Sequence, residues 1–136
     1  MSESRLRGNI VKALRCWDAV AVENPACPGT PDVNYIDGWL ELKFLPKWPR
    51  VPSTNPILIR HYTPQQRIWL RRRWLRGGRS HLLLQVGREW LLFDGMTAYR
   101  EVGKVSQSRL RELAVAHWVG RIDMEELRQC LSRSKP

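Results

Sequence analysis

The 136-residue chain has few of the residues that staple small domains or seat proteins in membranes. Its three cysteines, Cys16, Cys27 and Cys130, are odd in number and far apart. No Cys-x-x-Cys or Cys/His cluster occurs, and His61, His81 and His117 are equally scattered. This argues against a disulfide scaffold and a structural zinc site. The default expectation is free, buried thiols in a reducing, cytoplasmic compartment. No apolar run approaches the ~18 residues of a membrane span, and the start, Met-Ser-Glu-Ser-Arg, has no signal-like apolar stretch. Internal repeats and low-complexity tracts are also lacking. The 43% apolar content is enough to bury the core of one soluble domain.

The most informative absence is of acid. Between Glu41 and Glu89 there is no Asp or Glu, yet that stretch holds Lys43, Lys47, Arg50, Arg60, Arg67, Arg71, Arg72, Arg73, Arg76, Arg79 and Arg88. The whole net charge of +10 therefore sits in one contiguous stretch. Such a stretch suits a polyanion, most simply a phosphate backbone. Arginine dominates it, and the planar guanidinium fork matches phosphate better than lysine does. A solvated basic helix face is the plainer alternative. A membrane surface fits less well, because Trp, Leu and Ile are interleaved in a globular pattern.

Along the chain, residues 2–17 read as a helix capped by Ser2, with Leu6, Ile10, Ala13, Leu14 and Trp17 on one stripe. Residues 18–23 suit a short strand, and residues 24–30, with Pro25, Pro28 and Gly29, a loop. Asp37-Gly38 reads as a two-residue hairpin turn. A tight turn there pairs Ile36 with Trp39, Asn34 with Glu41 and Asp32 with Lys43. Asp32, Asn34, Glu41 and Lys43 then share one exposed face, and Val33, Tyr35, Leu40, Leu42 and Phe44 share the core face. Residues 45–62, with four prolines, form an extended loop. Thr63 caps a helix that has Pro64 at its first position and stops at Gly77-Gly78. Residues 80–86 and 89–94 read as strands, and residues 106–133 as helical, with Leu110, Leu113, Ala114 and Trp118 on one stripe and Leu127, Cys130 and Leu131 on another.

Two carboxylates and a lysine on one strand face need a reason. Asp32 and Glu41 repel unless a cation lies between them, and their hard oxygens suit Mg²⁺. Such an ion polarises a phosphodiester and lowers the pKa of a bound water. Lys43, two residues from Glu41, can orient the water or neutralise developing charge. An ordinary cross-strand Asp32–Lys43 ion pair is the competing explanation.

Pro31-Asp32, followed after a hairpin by Glu41-Leu42-Lys43, resembles the PD-(D/E)XK nuclease motif. Glu3-Ser4-x-x-Arg resembles the leading glutamate helix of the VRR-NUC and archaeal Holliday-junction-resolvase branch. Gly29-Thr30-Pro31-Asp32 is similar to that branch's Gly-x-Pro-Asp, and Thr63-Pro64-Gln65-Gln66 to its Ser-Pro-x-Gln. The resemblance covers about residues 2–94. It implies an α/β fold with a restriction-endonuclease-like core, a mixed central sheet flanked by helices, over residues 1–95. Residues 96–136 would add a helical C-terminal extension packed on the same domain.

The resemblance further implies that Asp32, Glu41 and the Leu42 main-chain carbonyl bind Mg²⁺, with Mn²⁺ able to substitute, and that Lys43 assists the water. Glu3 would be a further acidic ligand and Gln66 would complete the site, although Gln66 also sits where a capping box would place it. Arg67, Arg71, Arg72, Arg73 and Arg76 would clamp flanking phosphates. Lys47, Trp48 and Arg50 in the proline loop would meet DNA, with Trp48 either stacking on an unpaired base or anchoring the loop. The expected protein is a metal-dependent DNA endonuclease selective for branched DNA, working as a homodimer without membrane or small-molecule cofactor. A phage or mobile-element origin would suit so small a chain. Alternatives are a less selective duplex or end-processing nuclease, and a non-catalytic basic DNA-binding module or nuclease subunit.

Overall fold

The computed structural model describes residues 2–133. Helix α1 (Glu3–Ala13) begins where Ser2 Oγ accepts a hydrogen bond from the Arg5 N–H at 3.2 Å, and it buries Leu6 and Ile10. It ends four residues before the apolar spacing predicts. A 3₁₀ turn (Arg15–Trp17) follows, and Asp18 turns the chain with a left-handed φ of 55°. The predicted strand over 18–23 shortens to β1 (Val20–Ala21), which pairs only with Asn34 and Val33.

Strands β2 (Val33–Tyr35) and β3 (Gly38–Leu45) form the expected hairpin in a different register. Ile36 and Asp37 are the loop residues, and the pairs are Tyr35–Gly38, Asn34–Trp39 and Val33–Leu40. Asn34 thus opposes Trp39 rather than Glu41, and Asp32 lies beyond the ladder rather than opposite Lys43. Gly38 belongs to the strand because its backbone runs against Arg79 of the neighbouring strand, where a Cβ would collide. Asp37 then reaches Arg79 at 3.4 Å, and the Ile36 N–H donates to the Trp17 carbonyl. The displacement is by two residues, so each side chain keeps the expected face.

Among the described residues one sheet has the order β1-β2-β3-β4-β5-β6, with β4 (Arg79–Val86), β5 (Glu89–Asp94) and β6 (Ala116–Val119). Only β3 and β4 are parallel. Their crossover carries the proline loop and helix α2 (Pro64–Leu75), whose Thr63 cap and Gly77-Gly78 stop fall where the sequence puts them. Helices α3 (Gly95–Arg100), α4 (Gln107–Leu113) and α5 (Met124–Arg133) follow β5. Leu6, Ile10 and Leu14 meet Leu127 and Leu131 of α5 over one face of the sheet. Leu70, Ala98 and Leu110 cover the other, joined by Ile57 and Ile59 from the loop. The fold is α/β, a six-stranded mixed sheet between helices.

The C-terminal part is not wholly helical. Residues 116–119 form an edge strand in which Ala116 and Trp118 face in while His117 and Val119 face out. Period-2 burial at a sheet edge overrides the helical spacing that links Trp118 to Leu110, and the two residues lie in opposite cores. Short α3 arises where Asp94 ends β5 and accepts a bond from the Thr97 N–H at 2.8 Å. Of the cysteines only Cys130 is buried; Cys16 and Cys27 are exposed on turns, against expectation. No helix among the described residues is long and apolar enough to cross a membrane.

Candidate metal centre and nucleic-acid interface

β2 stops at Val33 while β3 runs on to Leu45, so the outer edge of β3 loses its strand partner near Glu41. Carboxylates take over that edge. The Leu42 N–H donates to Asp32 Oδ2 at 2.9 Å, and the Phe44 N–H donates to Glu3 Oε1 at 3.1 Å. His61 Nε2 lies 2.8 Å from the same Glu3 oxygen. Along a strand the N–H and C=O of one residue leave on the same side, so the Leu42 carbonyl opens onto this edge as well. Glu3, Ser4, Arg7, Asp32 and Leu42 enclose a cleft of about 130 Å³. At ~30 Å³ per water, it has room for a small ion with a few waters.

Glu41 and Lys43 were expected on an exposed face. Instead they are buried, 1% and 4% exposed, because α2 and the segment leading into it cover that face of β3. Lys43 Nζ approaches Glu41 Oε1 at 3.2 Å, so Lys43 pairs with Glu41 rather than with Asp32. The contact misses hydrogen-bond angles, and both Glu41 oxygens lack a hydrogen-bond partner. Burial pushes the Glu41 carboxyl well above its ordinary range. The Asp32 carboxylate pushes the same way, and the Lys43 ammonium pulls against both. A carboxylate so placed is poorly satisfied by the protein alone.

Among the described residues no group of three or more Asp, Glu, His or Cys side chains forms a ready-made metal cage. The donors present are the carboxylates of Asp32 and Glu41 and the Leu42 carbonyl. This hard-oxygen set fits Mg²⁺, which completes its shell with water. Glu3 borders the cleft but is held by the Phe44 N–H and His61.

Gln66 closes a full capping box. Its N–H donates to Thr63 Oγ1 at 3.2 Å, and its Oε1 accepts from the Thr63 N–H at 2.9 Å. Only its amide nitrogen is left for a site role. Arg67 turns inward, donating to the Ala98 and Tyr99 carbonyls at 3.4 and 3.3 Å and lying over the Tyr62 ring. Arg73 stacks on Trp69, its guanidinium carbon 4.4 Å from the ring centroid, and Arg71 approaches Tyr99. Arg72 and Arg76 are exposed on α2, as are Lys47 and Arg50 on the loop. Trp48 anchors the loop. Its indole N–H donates to Glu89 at 2.9 Å, and Arg111 lies over its ring.

The structure thus brings Glu3, Asp32, Glu41, Leu42 and Lys43 to one stretch of β3 and leaves Trp48 elsewhere. Sequence reasoning missed His61 and Tyr62. Tyr62 is buried, donates to the Ala98 carbonyl at 2.9 Å and feels the Glu41 charge. The only local signal was their place just before the Thr63-Pro64 helix start. No protein-family model matches the chain, and no curated protein matches it.

Proposed function

We propose that the protein is a metal-dependent DNA endonuclease of the PD-(D/E)XK type, with Asp32, Glu41 and Lys43 as its motif and a restriction-endonuclease-like core around them. The observation that carries this reading is the pair of carboxylates at the unpaired edge of β3. One is fixed by the Leu42 N–H, and the other is buried with only the Lys43 ammonium, 3.2 Å away, against it. A buried carboxylate with unsatisfied oxygens is one that a bound cation would satisfy.

Asp32, Glu41 and the Leu42 carbonyl would hold Mg²⁺ or Mn²⁺, which would supply Lewis acidity toward the phosphodiester and a more acidic bound water. Lys43, 3.2 Å from Glu41, pulls that carboxyl down against the opposing effects of burial and Asp32, and adds positive charge beside the reacting phosphate. Glu3 positions the edge through the Phe44 N–H. Arg72 and Arg76 on α2 contact flanking phosphates of the same strand. Residues 1–95 are the nuclease core, and β6 and α5 complete its sheet and one of its faces. A single small domain leaves little surface for reading base sequence, which favours selection by DNA structure. A second copy would let paired cuts be made in a branched substrate.

The test is cleavage of a labelled four-way junction and its matched duplex with Mg²⁺, Mn²⁺ or EDTA, for wild type and Asp32→Ala. Metal-dependent paired cuts in the junction alone, lost in the variant, are expected. Cutting of both DNAs would replace the resolvase with a less selective nuclease. Binding without cutting under every metal would make it a basic DNA-binding module.

A further inference from the structure

Beside the candidate centre, the 24–31 loop lies on the first turns of α2 and leaves a groove. Cys27, Pro28, Gln65, Ile68, Trp69 and Arg72 line it. The loop is a built wall. Thr30 Oγ1 donates to the Cys27 carbonyl at 2.7 Å, and the Cys27 N–H donates to the Asn24 carbonyl at 3.2 Å. Gly29, at φ 91°, presses so close that a Cβ there would lie 2.6 Å from the Gln65 carbonyl. The floor is apolar: Ile68 is 51% exposed on α2, as Leu75 is two turns further on, and Trp69 lies beneath Ile68. The rim is polar, with the Arg72 guanidinium and the exposed Gln65 amide.

We propose that this groove takes one unpaired nucleobase of the DNA strand whose backbone enters the Asp32–Glu41 centre. The inference rests on the DNA-binding reading and adds a substrate feature to it. The chemistry is that of single-strand recognition. An apolar surface and a guanidinium plane accept a base face, and an amide reads its edge. A phosphate alone has no use for Ile68. A wholly apolar peptide fits less well, because Arg71, Arg72 and Arg76 stand among the outward residues around Ile68 in an acid-free stretch, and the other exposed apolar residue of the helix, Leu75, lies outside the groove. The placement also fits. Asp32 follows Pro28 by four residues, which span at most ~14 Å of chain. DNA rises ~3.4 Å per nucleotide along one strand, so the base lies within a few nucleotides of the scissile phosphate. A groove so placed selects gaps, flaps and junctions over continuous duplex.

Cys27 supplies a readout independent of cleavage, and Cys16, also exposed, supplies an internal control. Wild-type protein in EDTA is saturated with a gapped DNA or with blunt duplex of the same sequence, and alkylation by N-ethylmaleimide is followed by peptide mass spectrometry. Gapped DNA is expected to slow alkylation of Cys27 at least fivefold relative to duplex, with Cys16 unchanged. Ile68→Ser is expected to weaken binding of gapped DNA about tenfold and of duplex less than twofold. Binding of both DNAs with equal Cys27 rates and equal losses in Ile68→Ser would overturn the groove while leaving the nuclease reading intact. Absence of binding to either DNA would overturn both.

Discussion

Two glutamates receive opposite treatment from this fold. Glu41, in the middle of β3, is sealed from solvent with only the Lys43 ammonium against it, and burial raises its pKa. Glu89, at the start of β5, collects donors. Arg111 Nε lies 2.7 Å away, Trp48 Nε1 2.9 Å and His117 Nε2 2.6 Å. The Arg111 guanidinium holds the Glu89 carboxyl down at about 2 against the opposing effect of burial, and Trp48 and His117 add to it. Glu89 ties the proline loop, α4 and β6 to one strand end. One carboxylate is surrounded by donors and holds the fold together, while the other, paired with a single lysine, keeps unsatisfied oxygens.

The sharpest break in that comparison is functional. Asp32→Asn keeps an oxygen for the Leu42 N–H but removes the charge that would face the proposed ion. Cleavage of a junction should fall by ~10²-fold or more, with little change in the thermal midpoint. Glu89→Ala should do the reverse. It strands Trp48, Arg111 and His117, so denaturant unfolding should show a loss of about 2 kcal/mol, while cleavage per folded molecule stays at the wild-type level.

Acid should reproduce part of the second effect. The folded Glu89 carboxyl titrates below the unfolded one, so its contribution is present above the unfolded value and is lost as the pH falls through the folded value near 2. The stability gap between wild type and Glu89→Gln should therefore close on acidification from ~pH 5 towards pH 2, as measured by unfolding at stepped pH. The smallest effect concerns Gln66. If its side chain acts through the capping box, Thr63→Ala and Gln66→Ala should each cost ~1 kcal/mol and leave cleavage within ~threefold of wild type. A large rate loss confined to Gln66→Ala would add its amide nitrogen to the site.

Much of the centre was legible because it is local. Asp32, Glu41 and Lys43 lie within twelve residues across one hairpin, and the two-residue register change left their faces untouched. The turn itself was misplaced because Gly38 is used for close approach to Arg79, a partner 41 residues away. The burial of Glu41 and Lys43 was not legible either, since what covers them comes from the crossover. β6 was hidden because Ala114-Val115-Ala116-His117-Trp118-Val119 serves helical and strand periods alike until β5 is there to pair with it. The Glu89 cluster joins residues from positions 48, 89, 111 and 117, and no spacing announces it.

The outer edge of β3 has a consequence for how the fold meets other chains. A strand with bare N–H groups is a template on which another chain can zip. Here the Leu42 and Phe44 N–H groups are occupied by the side chains of Asp32 and Glu3, so the segment is closed to a stranger's backbone. The carboxylates of Asp32 and Glu3 thus act as stoppers against fibre-like growth. Replacing both with apolar residues would uncover a sticky edge as well as silence a centre.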